Sequence, residues 1–550
     1  MTKAWQLVAV AALAGLLLLW NLGGVTLWQD EAATAVLAQR MLKFGKPLAY
    51  DGRNLITMDY PPDEESPERL LELSQSPENA LRYLSERGDF KADTTWIGHP
   101  WGQFVLAAGG FQLFGEGDWQ ARLPFAVCGV LTVVLLFAFV RARFDALTAW
   151  LAVGLLLGNV YWLLHMRQCR YYALTSLLTW LTFVLYWRWQ ERRRWGGAGF
   201  AVSAWLLFQC DYGTFFPVVM LLLGESFWAG RRLRSETLAY AVVLALMVLP
   251  WCWYYELGRR LKPTAIPLET RLLGLVYTVN QFVAPLLVLG GALLAAWFER
   301  RSRGKHADVS RARLVGVGAA VMGLVTLWMA WVAPFPFHRY VVGLTPFAAW
   351  IGAYALASVA GWIEAWLALR RYRAPWAVAG ALVLVATPWL ALPVNVCLPR
   401  TARTTPLEFL ARTEFQRLYE IYAGTIPDPT RELLAAVERL APPDEELLTN
   451  GDDIPWMFYT DRRIRGGILA FRVNAPLTGR MVLIARRGAE VAPPWLIQNA
   501  VGQLEWTEAA ETIVECRRPN CPDPFVNYLQ NRESRLVVFG VATPPAAEAE

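Results

Sequence analysis

Two neighbouring carboxylates, Asp30 and Glu31, follow the first apolar run of the chain in the stretch WQDEAATAVLAQRML. They stand at the start of an amphipathic helical pattern, where we expect the surface of a membrane. A carboxylate at the level of the lipid headgroups is suited to accept a proton from a hydroxyl group. Helix capping also suits these residue types, because Asp favours the N-cap and acidic side chains stabilise a first helical turn. The spacing leaves both interpretations open.

Cationic and aromatic side chains in two short turns form a second set of candidates. We expect both turns, HMRQCRYY and FHRYVVG, on the non-cytoplasmic side, where basic residues are uncommon. Guanidinium groups bind phosphate oxygens bidentately, so a lipid phosphodiester or diphosphate would explain them. Contact with lipid headgroups, or snorkelling, explains them equally well. The candidates in these turns are Arg167, Arg170, Tyr171, His338, Arg339 and Tyr340.

Four further residues have candidate roles. His99 precedes a proline and is suited either to orient a phosphate or to bind a metal. No second ligand stands near it at metal spacing, so a divalent metal is left open without support and no cofactor is assigned. Asp211 lies between two apolar runs and either serves function or caps a turn. Cys516 and Cys521 lie close together in a polar stretch, where a disulfide would require an oxidising compartment.

Membrane-spanning helices must position these side chains. The chain has 550 residues and is 55% apolar, against about 45–50% in a typical soluble domain. Spanning helices need roughly 18 or more apolar residues, with shorter runs allowed where breakers intervene. About eleven such runs are predicted, which are Leu7–Leu22, Leu123–Val140, Ala146–Leu164, Tyr171–Trp189, Ala198–Cys210, Thr214–Ala229, Leu238–Tyr255, Leu272–Trp297, Leu314–Val332, Val341–Leu369 and Trp376–Leu392.

The distribution of basic loops orients these spans. Basic residues concentrate on the cytoplasmic side of membranes, and five basic loops can face the cytoplasm together only if Pro100–Phe114 does not cross. That run then lies along the outer surface as an amphipathic interfacial helix. Residues 28–120 form the first outer loop, with two interfacial helices, and everything after Leu392 is outside. The loops begin or end at Arg141, Arg194, Arg231, Lys305 and Arg370.

The chain is therefore predicted to have two domains. Residues 1–397 form a polytopic α-helical membrane domain, and residues 398–550 form a small α/β domain in the periplasm. The second domain is predicted from strand-like runs such as MVLIA and RLVVFG, interspersed with helical patterns and prolines. The whole is placed in a bacterial inner membrane as a multi-pass protein.

Four motifs, taken in order, resemble the GT-C superfamily of membrane glycosyltransferases. They are WQDEA, HPWGQFVLAAGGFQLFGEGDWQARLP, HMRQCRYYALTSLLT and FHRYVVGLTPF. The likeness is to bacterial relatives of protein O-mannosyltransferases and of the lipid A aminoarabinose transferase. It implies Asp30 as the general base, with Glu31 beside it, and Arg339 on the lipid phosphate. The chain departs from the family in reading HPW where HPP is frequent, and in lacking an acid in the turn MRQCRYY.

The predicted function is inverting transfer of a sugar from a polyprenyl-phosphate donor to a lipid, glycan or protein acceptor on the periplasmic face. Membrane lipids are the other expected partners. The basic residues sit in short loops between apolar runs, and neither a P-loop nor a dinucleotide fingerprint occurs, so nucleic acid and nucleotide donors are not expected. Two alternatives remain: a transporter or flippase for a lipid-linked glycan, and a polysaccharide ligase or polymerase. The transferase hypothesis requires Asp30 to share a lipid-accessible pocket with the arginines.

Overall fold

The chain forms two compact units in a computed structural model. The helical unit comprises Met1–Leu22 and Leu123–Ala423, and the mixed unit comprises Gly23–Arg122 and Gly424–Glu550. The predicted boundary between residues 397 and 398 stays a prediction. The structure describes residues 4–56, 89–229, 234–260, 266–302, 309–333, 335–367, 372–397, 414–425, 428–440, 442–443, 445–449, 453–465, 481–487, 505–508, 512–516 and 534–543.

Most of the described chain is helical. The first ten helices are α1 (Ala4–Leu19), α2 (Gln29–Phe44), α3 (Gly102–Phe114), α4 (Asp118–Arg143), α5 (Ala146–Leu157), α6 (Val160–Met166), α7 (Tyr172–Gln190), α8 (Gly196–Phe208), α9 (Tyr212–Ala229) and α10 (Arg234–Tyr254). They are followed by α11 (Leu257–Arg260), α12 (Leu268–Thr278), α13 (Leu286–Ser302), α14 (Val309–Val332), α15 (Thr345–Trp366), α16 (Arg373–Ala386), α17 (Leu392–Cys397), α18 (Glu414–Ala423), α19 (Pro429–Leu440) and α20 (Ile454–Tyr459). A π-helical turn, Val279–Val283, extends α12, and a 3-10 helix, His338–Leu344, leads into α15.

Every apolar run predicted to span overlaps a helix or a pair of helices. Within the described residues, four helical stretches are long and apolar enough to cross a membrane, or six if each of two bent pairs counts as one span. Five further apolar helices are shorter. A helical fold with several apolar helices, compatible with a polytopic membrane protein, is therefore confirmed, while the number of eleven spans stays a prediction.

Two of these helical stretches are broken, and asparagine side chains satisfy the backbone at each break. The α5–α6 pair bends by 70°, and Asn159 caps α6 by accepting from the Trp162 N–H at 2.8 Å. The α12–α13 pair bends by 78°, and the buried Asn280 accepts from the Leu286 N–H at 2.9 Å. Asn159 also donates to the Phe282 carbonyl at 2.7 Å, so one side chain joins the two breaks. Such breaks persist in apolar surroundings only when the freed backbone groups find partners.

An aromatic cluster forms the centre of the helical unit. Trp180 on α7 is fully buried, and its ring lies 5.0 Å from Phe347 and 5.4 Å from Phe139, between ring centroids. Trp350 on α15 lies 6.0 Å from Trp180 and 6.1 Å from Phe139. These edge-on contacts pack α4, α7 and α15 together through rings that bury large areas.

The mixed unit joins the first loop to the C-terminal part of the chain. Helices α2 and α3 pack against each other, and Thr34 on α2 donates to Gln103 on α3 at 3.2 Å. The opposite face of α3 exposes Val105, Leu113 and Phe114. The exposed side chains are apolar like the buried ones, so the amphipathic character predicted for α3 is not confirmed. Its place at a membrane surface stays a prediction.

Six strands of the mixed unit form one sheet. In sheet order the strands run β2-β1-β3-β6-β4, and β5 also pairs with β6. Strand β1 is parallel to β2 and β3, and the other pairs are antiparallel. The extracytoplasmic location of this sheet stays a prediction. The strands are β1 (Glu446–Thr449), β2 (Ile464–Arg465), β3 (Met481–Arg487), β4 (Glu505–Glu508), β5 (Thr512–Cys516) and β6 (Ser534–Thr543).

Replacing Trp180 with Ala should destabilise the helical unit by about 3–5 kcal/mol, because it empties a fully enclosed aromatic site. Thermal unfolding of the purified protein in detergent measures the effect as a lowered midpoint. Trp366→Ala is the matched control, since that ring is 84% exposed, and its midpoint should stay near that of the parent. Equal midpoints for the two variants would show that the aromatic cluster does not hold α4, α7 and α15 together.

Candidate active site

The two predicted carboxylates lie in the first turn of α2 but in different surroundings. The N-cap position is Trp28, with an extended backbone, so Asp30 does not cap the helix. Asp30 is half-buried, whereas Glu31 is 1% exposed. Both charges still suit the positive end of the helix dipole.

Glu31 forms a bidentate ion pair with Arg122 on α4. The Arg122 Nε donates to one carboxylate oxygen at 2.8 Å, and Nη2 donates to the other at 2.6 Å. Nη1 and Nη2 of Arg122 also donate to the carbonyls of Val25 and Thr26, at 2.6 and 3.1 Å. The pair is buried, so each charge needs its partner, and the carbonyls add to the compensation of the guanidinium charge. Glu31 therefore fixes the start of α2 relative to the start of α4.

Residues from the C-terminal part of the mixed unit bind the segment just before α2. The Asp428 carboxylate accepts from the Thr26 N–H at 2.8 Å and from the Thr26 hydroxyl at 2.7 Å. The Gln29 amide donates to Asp453 at 2.9 Å and accepts from the Ile454 N–H at 3.2 Å. Each of these partners is about 400 residues away in sequence.

Tyr459 at the end of α20 connects the same segment to α4. Its hydroxyl accepts from the Leu27 N–H at 2.6 Å and donates to the Asp118 carboxylate. Asp118 also pairs with Arg431 at 3.1 Å. Burial and the neighbouring Asp118 charge raise the pKa of Tyr459 well above its ordinary value, so the phenol keeps the proton that it donates.

His99 lies just before α3 in the mixed unit. Its imidazole stacks on the indole of Trp96, with ring centroids 6.1 Å apart and planes 9° from parallel. The Trp101 indole N–H donates to the Trp96 carbonyl at 2.8 Å, which holds the turn around His99. A role in orienting a phosphate stays a prediction.

Arg167, in the helical unit, caps the C-terminus of α1. The last carbonyls of a helix lack hydrogen-bond partners within the helix. The buried Arg167 guanidinium donates to carbonyls at the end of α1. Its two terminal nitrogens make four hydrogen bonds, of 2.7 to 3.2 Å, and its plane stacks over the Tyr422 ring at 5.1 Å. The accepting carbonyls are those of Leu17, Leu18, Trp20 and Asn21.

Arg170 and Tyr171 lie three residues further on, at the start of α7. The buried Arg170 guanidinium sits over the Tyr171 ring at 5.7 Å. Tyr171 interacts electrostatically with Arg170, Asp211 and Tyr340. Helix α7, which directly follows the HMRQCRYY turn, packs against the 3-10 helix formed by the FHRYVVG turn. Their role toward a phosphate stays a prediction.

The FHRYVVG turn forms the 3-10 helix before α15. The Tyr161 hydroxyl donates to the His338 carbonyl, and the His338 ring lies 5.0 Å from Phe282. The Arg339 guanidinium sits 4.2 Å above the Phe337 ring, and Phe337 also contacts Tyr340 at 5.7 Å. These aromatic contacts fix the backbone that carries the predicted phosphate ligand.

Two further residues lie near this cluster. His165 was not among the candidates predicted from the sequence, and Asp211 was left with two candidate roles. His165 on α6 is buried between the rings of Tyr161 and Tyr172, at 4.6 and 5.2 Å. Asp211 accepts from the Thr214 N–H at 3.2 Å and from its hydroxyl at 2.6 Å. It therefore caps α9, the second of the two roles considered for it.

A small apolar cleft of about 60 Å³, partly open to the outside, lies where the two broken helices meet. Its wall includes Asn159 and Tyr161, so it borders the residues that hold the His338 backbone. Most other lining side chains are aliphatic, and they include Leu155, Val283, Val288, Ala349 and Leu384.

Metal and disulfide candidates add little within the described chain. No three His, Cys, Asp or Glu side chains gather to hold a metal ion among the residues that the structure describes. Cys128, Cys169 and Cys210 are buried free thiols. The predicted pairing of Cys516 with Cys521 involves a residue outside the described ones.

Comparison with known proteins relates this architecture to membrane glycosyltransferases. Residues 98–254 match the family described as dolichyl-phosphate-mannose-protein mannosyltransferase. ArnT from Cupriavidus metallidurans resembles the chain in its apo state, with a TM-score of 0.54, 13% identity, and coverage of 98% of this chain and 97% of that one. The structure of the same ArnT bound to undecaprenyl phosphate gives a TM-score of 0.55 at 14% identity, covering 98% of this chain and 98% of that one.

An archaeal structure shares the fold more distantly. The oligosaccharyltransferase of Archaeoglobus fulgidus, in complex with Zn and sulfate, gives a TM-score of 0.50 at 13% identity, covering 92% of this chain and 72% of that one. No curated protein matches the sequence significantly. The resemblance to GT-C membrane glycosyltransferases is confirmed by the family match over residues 98–254 and, for the whole chain, by the fold. Fold by itself does not assign a reaction.

Replacing Glu31 with Gln should lower stability by about 3–5 kcal/mol, because it leaves the buried Arg122 charge without its counterion. The midpoint of thermal unfolding reports the loss. Glu256→Gln is the control, since its partner Arg259 is 75% exposed and such pairs contribute about 0–1 kcal/mol. An unchanged midpoint combined with lost activity would assign Glu31 to the chemistry instead.

Proposed function

We propose that the protein transfers a sugar from a polyprenyl-phosphate donor to a lipid, glycan or protein acceptor on the periplasmic face of a bacterial inner membrane. The observation that carries the proposal is the division of roles between two adjacent carboxylates. Glu31 is occupied by Arg122 through both oxygens, while Asp30 is half-buried at the same helix start. The fold supports the proposal, because a structure of similar fold was solved with undecaprenyl phosphate bound.

The proposed reaction is a single displacement at the anomeric carbon. Asp30 removes the proton of the acceptor hydroxyl, and the acceptor oxygen forms a bond to that carbon. The bond between the carbon and the phosphate oxygen breaks, and polyprenyl phosphate leaves with the electron pair. One displacement inverts the anomeric configuration. Guanidinium groups stabilise the charge that grows on the leaving phosphate.

The contacts of the arginines decide which of them we assign to the phosphate. The four terminal hydrogen bonds of Arg167 go to backbone carbonyls, which supports a structural role for it. Arg170 and Arg339 stand on the two turns that meet near Tyr171 and Tyr340, and we assign the phosphate to these two. The charge and planar shape of a guanidinium suit a phosphate with two or three free oxygens.

The small apolar cleft has the character that a hydrocarbon group requires, because most of its wall is aliphatic. It borders Tyr161, and the Tyr161 hydroxyl binds the His338 carbonyl next to Arg339. With a volume of about 60 Å³ it has room for only a short part of an isoprenoid chain, so we do not assign the whole lipid to it.

A transporter or flippase for a lipid-linked glycan is the second candidate. The two broken helices favour it, because discontinuous helices joined at their breaks are typical of transport proteins. The two functions differ in their products. A transferase releases polyprenyl phosphate from purified protein without a second compartment, whereas a flippase moves the intact donor between the leaflets of sealed vesicles.

Replacing Asp30 with Asn should reduce transfer by a factor of about 10²–10⁴, the usual contribution of a general base, and leave unfolding unchanged. The assay follows release of polyprenyl phosphate from a panel of polyprenyl-phosphate sugars. Asp461→Asn, an exposed carboxylate of the same unit, is the matched control. Full activity of Asp30→Asn would remove Asp30 from its role and with it the proposed mechanism.

Replacing Arg170 or Arg339 with Gln should weaken donor use, since each change removes a positive charge proposed to face the phosphate. We expect kcat/KM to fall at least tenfold for each variant and affinity for polyprenyl phosphate to fall in parallel. Arg259→Gln is the control because that side chain is 75% exposed and paired with Glu256. Unaltered product affinity in both variants would contradict the assignment of the phosphate site.

A further inference from the structure

We infer that the C-terminal part of the chain positions the proposed base, by anchoring the residues on either side of the α2 start. The inference rests on the proposed function of Asp30. The C-terminal anchor consists of Asp428, Asp453, Ile454 and Tyr459, which bind the segment 26–29 directly before Asp30. This gives the C-terminal part a task in the reaction itself.

Asp30 stands between two anchored neighbours. On one side, Gln29 uses both ends of its amide, one on Asp453 and one on the Ile454 N–H. On the other side, Glu31 is bound through both oxygens by Arg122. With both neighbours fixed, the Asp30 backbone has little freedom to rotate or slide. A base must lie within hydrogen-bond reach of the proton that it removes, so this restriction serves catalysis.

The C-terminal anchor supplies hydrogen-bond acceptors for backbone N–H groups just before α2. The N–H groups of Thr26 and Leu27 precede α2, and they donate to Asp428 and Tyr459. The segment is thus held by side chains that lie about 400 residues later in the sequence. Deleting one of these contacts frees the approach to α2 without touching Asp30.

Tyr459 is the residue of the anchor that joins both supports of the α2 start. Its hydroxyl accepts from the Leu27 N–H and donates to Asp118. Asp118 begins α4, the helix that carries Arg122. Removing the Tyr459 hydroxyl therefore loosens the segment before α2 and removes one of the contacts of Asp118, while leaving the aromatic ring in place.

The test compares Tyr459→Phe and Gln29→Ala with Tyr419→Phe in the full-length protein. Tyr419 is 70% exposed on α18 and serves as the matched control. We expect kcat to fall about ten- to hundredfold in the first two variants, as for a displaced catalytic group. We expect KM for the donor and affinity for polyprenyl phosphate to stay within twofold. Rates are normalised to the amount of folded protein. If Tyr459→Phe does not fold, the kcat of Gln29→Ala alone tests the inference.

A double variant separates positioning from general support of the fold. If Tyr459 acts through Asp30, adding Tyr459→Phe to Asp30→Asn should cause no further loss of the residual rate. A further loss of the same size as in the parent would overturn the inference, because the effect would then be independent of the base. Parent-like kcat in both single variants would overturn it as well.

The outcomes also distinguish this inference from the proposed function. Full activity of Asp30→Asn contradicts the proposed base, and the anchoring inference fails with it. Loss of activity in Asp30→Asn together with parent-like kcat in Tyr459→Phe and Gln29→Ala contradicts the anchoring inference alone. Loss of activity in all three single variants, with no further loss when Tyr459→Phe is added to Asp30→Asn, supports both the proposed function and the anchoring inference.

Discussion

The buried guanidinium of Arg122 is the interaction on which the described arrangement of the mixed unit depends. It binds both oxygens of Glu31 and the carbonyls of Val25 and Thr26, so the start of α4, the start of α2 and the segment before α2 converge on one charge. A buried charge without its partner is costly, so these groups must assemble together or not at all. Because Asp30 directly precedes Glu31, the same ion pair restricts where the Asp30 backbone can lie.

The helical unit obeys a related constraint, which concerns backbone groups. Polar backbone atoms in apolar surroundings need partners inside the protein. Arg167 supplies them at the end of α1, while Asn159 and Asn280 supply them where helices break. These three side chains therefore serve the backbone, whereas the Arg339 guanidinium lies over the Phe337 ring. This difference in contacts is the reason why Arg167 is left out of the proposed phosphate site.

Much of the helical fold was predictable, because its signals are local. The run Leu123–Val140 lies inside α4, and Ala146–Leu164 covers α5 and α6. Length and apolar character alone define such segments. The ordered motifs also indicated the glycosyltransferase fold that the comparisons confirm. The bend at Asn159 was not predicted, since an asparagine within an apolar run gives no measure of the angle.

The sequence by itself determined the helices, the family resemblance and the small set of charged residues beside helix ends. Only the tertiary structure decided how those charges are used. Glu31 and Arg122 are 91 residues apart, and Leu27 and Tyr459 are 432 apart. Neither pairing has a periodic or compositional signature. Hydrogen bonds act over about 3 Å, so which carboxylate pairs with the arginine depends on packing that brings distant segments together.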